Sequence, residues 1–165
     1  MTKTERLILV NQLKILAHLE PENRDFYNES IEILENGYSV FYDSITNNIY
    51  DEMQEEKGNL VLNILDLYCA VECFKKNGGT LKGLKHIEFM GFDGNYETDY
   101  MMFARFLIEK QHKFAEIKEA LGSCDFNSHC PMVQIYEKIL ERWKQNLNGL
   151  WPTNREEFEK IFEKE

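Results

Sequence analysis

The run Phe89, Met90, Gly91, Phe92, Asp93, Gly94, Asn95 constrains this chain more than any other segment. A glycine-flanked turn with an acid in it separates two long stretches of helical apolar spacing, so it is the point about which the architecture is organised. Asp93 fits there as a turn or cap residue whose carboxylate accepts backbone hydrogen bonds at the start of the next helix. The turn is evidence of architecture rather than of chemistry, because its glycines follow no strand and build no phosphate-binding fingerprint.

On either side of the turn the apolar residues recur at three- and four-residue intervals. Thr4 is placed to cap a first helix with Leu7, Val10, Leu13 and Leu16 or Ala17 in one row and Ile8, Ile15 and Leu19 in a second, both expected to be partly buried. Pro21 to Asn36 forms the next helix, stopped by Gly37 and paired antiparallel with the first. A weaker helix covers Tyr38 to Ile49, and the longest runs from Asp51 to Asn77, with acids at its start and lysines at its end as the helix dipole favours. Beyond the turn, Tyr96, Tyr100, Phe103, Phe106 and Leu107 space a helix to about Gln111. A short helix at 114–121 and a longer one at 131–147 follow, and a Thr153 and Glu156 capping box opens the last helix.

About seven helices and no lasting alternation of apolar and polar residues predict an all-α fold, read as a single domain over 1–165. The least decided stretch is 85–92, where Ile87, Phe89 and Phe92 also suit an extended strand. A chain of 165 residues buries roughly 70% of its unfolded surface, enough for one core. The helices 96–111 and 131–147 are expected to bury most of that core, and their leftover surface is expected to form a contact between two copies.

Twenty-nine acids against nineteen Lys and Arg give a net charge of -10, and the basic residues do not gather on one face. A surface of that sign repels a phosphate backbone, so nucleic acid is not an expected partner. Lys3, Glu5, Arg6 and Lys14 interrupt the apolar residues of the N-terminus, leaving no signal-peptide core. No window reaches the length of a membrane helix, so no membrane partner is expected. The chain is expected to be cytoplasmic, with its four cysteines as reduced thiols.

Cys69 and Cys73, four apart on one helix, and Cys124, His129 and Cys130 on a later loop together offer soft ligands for zinc. Their apolar neighbours and the wide 124–130 spacing favour free thiols instead, and no cofactor is expected. The acid groups at 51–56 and 156–159 read as solvent-facing partners of helix starts. Arg105, set among Phe103, Phe106 and Leu107, needs a carboxylate or carbonyl partner, with Asp93 and Asp99 as candidates. Asn11 and Gln12 pose the same question in the first helix. The candidate ligand or structural polar residues are therefore Asn11, Gln12, Asp93, Arg105 and Asn127.

Five sets of residues belong together: Glu5, Arg6, Leu7, Ile8, Leu9, Asn11 and Gln12; Gly37 and Tyr38; Phe89, Gly91, Phe92 and Asp93; Tyr100, Arg105 and Phe106; and Phe126, Asn127, Pro131, Met132, Tyr136 and Trp143. In combination they resemble the YfbU family of uncharacterised bacterial proteins. The resemblance spans nearly the whole chain and implies a bacterial, soluble, mostly helical protein, with no reaction or catalytic residue attached. The chain departs from that pattern at Lys75 to Lys85 and at Cys124 and Cys130.

The leading expectation is a non-enzymatic homodimeric interaction module, with an unidentified protein as a further partner. Its rival is a small-molecule or nucleotide-processing enzyme using Asp93, Arg105, Asn127 and His129 around one pocket. A regulator of the toxin-neutralising or transcription-associated kind is the third expectation.

Overall fold

The computed structural model describes residues 1–123 and 125–164, and among them it contains eight α-helices and no strand. The all-α expectation is met. Residues fall into two compact units, 1–52 and 53–165.

In the first unit α1 (Lys3–Leu19) and α2 (Arg24–Asn36) pack antiparallel through a single 3-10 turn at Pro21–Asn23. The N-cap of α1 is Thr2 rather than Thr4: its hydroxyl accepts from Glu5 N, and the Glu5 carboxylate accepts from Thr2 N at 2.6 Å. An acid three residues past Thr2 completes a capping box that Thr4 cannot form. Gly37 ends α2 with φ +73°, and the Arg6 guanidinium donates to Leu34 O at 2.7 Å, answering one of the free carbonyls there. Val10, Ile31 and Leu34 form a small core, flanked by Leu9, Leu13, Tyr42 and Ile45; the last two bring in α3 (Tyr42–Thr46).

The second unit is built on α4 (Glu55–Lys76). Val61, Ile64, Leu65, Leu67, Tyr68, Cys69, Ala70 and Val71 are all buried, so the middle of this helix is enclosed all round rather than along one stripe. Around it pack α5 (Thr98–Arg105), α6 (Ala115–Leu121) and α7 (Val133–Leu147), with α8 (Arg155–Ile161) resting on α7. A single π turn, Phe106–Lys110, extends α5. Asn154, not Thr153, caps α8, because its side chain accepts from Glu157 N and so leaves Phe158 and Ile161 facing the core.

Three packing expectations change. Helix α4, rather than the 96–111 and 131–147 helices, supplies the centre of the core. The aromatic stripe is buried only in part: Leu107 is buried and Tyr100 and Phe103 pack against the core, whereas Tyr96 and Phe106 are exposed. The row Ile8, Ile15 and Leu19 on α1, expected to be partly buried, is exposed too.

The 85–92 stretch is neither helix nor strand. It meets two isolated bridges, Leu84 with Lys164 and Phe92 with Asn127. Phe92 N donates to Phe126 O at 2.9 Å and Ser128 N donates to Phe92 O at 3.1 Å, pinning the turn to the 125–130 loop. Gly91 lies at φ +82°, and a Cβ there would stand 2.0 Å from Phe126 O. Both the backbone angle and the space demand glycine. Gly91→Ala is expected to lower the unfolding free energy by about 3 kcal/mol or more, read by urea denaturation; a neutral result would mean that this close approach is not maintained.

Candidate functional site

Every residue of the turn from Met90 to Gly94 is bonded by its backbone to a partner outside those five residues. Tyr136, wholly buried on α7, accepts from Met90 N at 3.1 Å and donates to Gly91 O at 3.0 Å. Phe92 is held by Phe126 and Ser128 as described. Gly94 N donates to Asn127 Oδ1 at 3.1 Å. Asp93 N donates to Glu97 Oε2 at 3.0 Å.

Glu97 is the decisive polar residue, and sequence reading did not single it out. It is 7% exposed, and besides Asp93 N its carboxylate accepts from Met132 N at 2.9 Å and Val133 N at 2.8 Å. Those two N–H groups lie at the start of α7, where a helix has no internal acceptors and its dipole favours a negative charge. The one signal was its place four residues after Asp93, which lets the two acids brace one turn reciprocally. Asp93, 3% exposed, accepts from Asn95 N at 2.7 Å and Tyr96 N at 3.0 Å through Oδ1. That is the turn role expected of it.

Asn127 and Arg105 are similarly engaged. Asn127 Oδ1 also accepts from His129 N at 3.0 Å, so its oxygen serves two backbone groups. Arg105 finds a carbonyl: it donates to Asp125 O and sits 5.7 Å from the centre of the Phe126 ring. Neither proposed carboxylate is its partner, since Asp99 pairs with Lys57 at 3.0 Å. Phe126 holds a left-handed backbone, φ 68°, a conformation that costs a bulky residue of the order of 1–3 kcal/mol and persists only under such restraint. In the first unit, Asn11 and Gln12 are exposed, not interior.

A cleft of about 530 Å³ opens beside the turn between α4 and α6, lined among others by Lys75, Phe89, Leu121 and Asn127. Asp93, Arg105 and His129 do not line it. The lysine is already paired with Glu72 at 2.7 Å and donates to Ile87 O at 3.3 Å. The convergence required of Asp93, Arg105, Asn127 and His129 by an enzyme reading is therefore absent from this cleft.

The cysteines divide differently from the four-ligand expectation. Cys69 and Cys73 on α4 come together with Glu116 on α6, the ligand atoms all within 4.8 Å of one another. His129 and Cys130 are not part of this group, and Cys124 lies outside the described residues. Burial, reinforced by the neighbouring Glu116 carboxylate, pushes the Cys69 thiol up to about 12. Backbone and thiol hydrogen bonds hold Glu116 below the usual carboxylate range.

A family model of the YfbU domain matches residues 1–163. The chain belongs to the YfbU family. It is 48% identical over 162 residues to a UPF0304 protein of Methanocaldococcus jannaschii, with 95% of each chain covered. That relative is archaeal, so the bacterial origin implied by the resemblance does not extend to every protein of this similarity. Within this YfbU-family chain, most of the residues that carried the resemblance around the turn are those that fasten its backbone.

If Glu97 is the brace described, Glu97→Ala strands three backbone donors and is expected to lower the unfolding free energy by about 3 kcal/mol or more. Asp99→Ala, on the exposed side of the same helix, should change it little. Parallel urea denaturation curves decide this, and equal midpoints would remove Glu97 from its bracing role.

Proposed function

We propose that this YfbU-family chain is a non-enzymatic cytoplasmic interaction module that pairs with a second copy of itself through α1. The observation carrying this reading is the two-sided helix. At about 100° per residue, Val10, Leu13 and Ala17 fall on one side of α1, toward α2, while Ile8, Ile15 and Leu19 fall within an arc of about 40° on the other. The second row is 53%, 60% and 69% exposed. An apolar row left exposed along a helix marks an interaction surface.

Charge permits a second copy as the occupant. The whole chain carries a net -10, yet α1 contains one acid, Glu5, beside Lys3, Arg6 and Lys14. Lys14 is paired with Glu35 and Arg6 is turned to Leu34 O, so two such helices bring few unpaired like charges together. Asn11 and Gln12 flank the exposed row, and polar residues at a helical seam set register and orientation at some cost in stability. This gives them a role that interior burial does not.

Other observations support the remaining terms of the reading. The potential polar centre around Asp93 and Glu97 is occupied by internal hydrogen bonds, which favours binding over catalysis. Among the described residues no helix is long and apolar enough to cross a membrane. Cys69, Cys73 and Cys130 are free thiols, as suits a reducing compartment. The YfbU match runs through both units, which favours one functional domain.

Sedimentation equilibrium is expected to give twice the 19.6 kDa chain mass at micromolar concentration. Each isoleucine removed from a two-fold interface is lost twice, at about 1.5–3 kcal/mol each, so Ile15→Glu should weaken association at least about a hundredfold. A wild-type protein that remains at 19.6 kDa up to high concentration would refute pairing.

A further inference from the structure

We propose that Cys69, Cys73 and Glu116 form a binding site for one divalent cation of the Zn2+ class, bridging α4 and α6 and leaving a coordination position open to water. The four-residue spacing on α4 sets both thiols on one side of the helix, and α6 packs against that side. Cys69 Sγ lies 3.3 Å from Glu116 Oε2, and all three ligand atoms are within 4.8 Å of one another. Tetrahedral zinc with bonds of about 2.3 Å to sulfur and about 2.1 Å to oxygen needs edges of about 3.8 Å between sulfurs and about 3.6 Å from sulfur to oxygen. Small side-chain rotations bring the group to that size.

Chemistry narrows the ion. Two thiolates exclude Mg2+ and Ca2+ as preferred occupants and select Zn2+, Co2+ or Cd2+. On binding, each S–H bond breaks and its proton leaves to solvent as a metal–sulfur bond forms; the Glu116 carboxylate needs no such step. Cys69 is 8% exposed, while Cys73 and Glu116 are only partly buried, so the ion has an entry side. Lys76, the nearby cation, is paired with Glu119 at 2.5 Å, which reduces its repulsion of an incoming metal. Three protein ligands with an open position describe an exchangeable site, not a closed structural one. The site lies within residues 53–165 and stands whether or not the chain pairs through α1.

The test uses the full chain, reduced, anaerobic and free of any histidine tag. Titration with Co2+ is expected to produce a sulfur-to-cobalt charge-transfer absorption that saturates at one equivalent and is bleached by Zn2+. Cys73→Ser should weaken binding by more than about 100-fold, beyond the 10–100-fold typical of losing an outer-shell partner. Glu116→Gln should weaken it at least tenfold, and Cys130→Ser should leave it unchanged.

Far-UV circular dichroism checks that each variant is folded. Should one fail to fold, protection of Cys73 from alkylation by Zn2+ in the wild-type protein replaces that comparison. Zinc at a hundredfold excess over Kd should also raise the Tm of the wild type by about 5–10 °C. No charge-transfer band, undiminished affinity for Co2+ after Cys73→Ser, a band lost with Cys130→Ser, or unprotected Cys73 in the wild type would each overturn the assignment.

Discussion

The second unit depends on one buried carboxylate. Glu97 receives N–H groups from Asp93 at 3.0 Å, Met132 at 2.9 Å and Val133 at 2.8 Å, and so ties the central turn to the start of α7. A charge enclosed in a protein interior is costly unless it is met by several donors. Here the donors are backbone groups that would themselves be unsatisfied without it, so each side compensates the other. Once α7 is fixed in this way, Tyr136 is carried to Met90 and Gly91, and its ring meets Tyr68 and Phe92 at centroid distances of 5.6 Å each. A polar knot and an aromatic cluster thus share one residue, which makes the turn rigid although it belongs to no regular element.

This arrangement also explains why some of the chain is legible in sequence and some is not. Helical spacing identifies α1, α2, α4 and α7 because each has a repeating apolar interval, and Gly37 marks the end of α2 through its backbone freedom. The role of Asp93 is local, reaching two and three residues ahead, so it can be read from the turn alone. Glu97 can be read only in part: its place four residues after Asp93 is a local signal, but Met132 and Val133, which fix its main role, lie 35 and 36 residues away. Arg105 is intermediate. That it needs a partner follows from its apolar neighbours, but the choice of Asp125 O over a carboxylate depends on the path of a loop.

The same limitation accounts for the helix faces. Periodicity shows that α1 has two apolar rows, yet it does not say how many partners a helix has. One row meets α2, and the other is left exposed. Conversely, the apolar residues of α4 surround it, so their pattern carries little directional signal, and its central place in the core emerges only from the helices packed around it. The aromatic spacing around α5 pointed to a buried stripe, and Tyr100, Phe103 and Leu107 do meet the core, but spacing alone did not show that Tyr96 and Phe106, at the edges of that face, stay exposed.

Where the polar side chains are spent determines what is left for function. Around the turn Asp93, Glu97, Arg105 and Asn127 all serve backbone groups, so a ligand seeking the same contacts would have to displace bonds that maintain the fold. The features not consumed in this way are of another kind: an apolar row on α1 with few acids, and two thiols facing a carboxylate across α4 and α6. The first suits association, because burying it costs no polar desolvation beyond Asn11 and Gln12 at its margins. The second has in place only one hydrogen bond from a weak thiol donor, at 3.3 Å, which a metal–ligand bond readily exceeds. Function in this molecule is therefore to be sought at these two places, since neither is needed to keep the central turn in position.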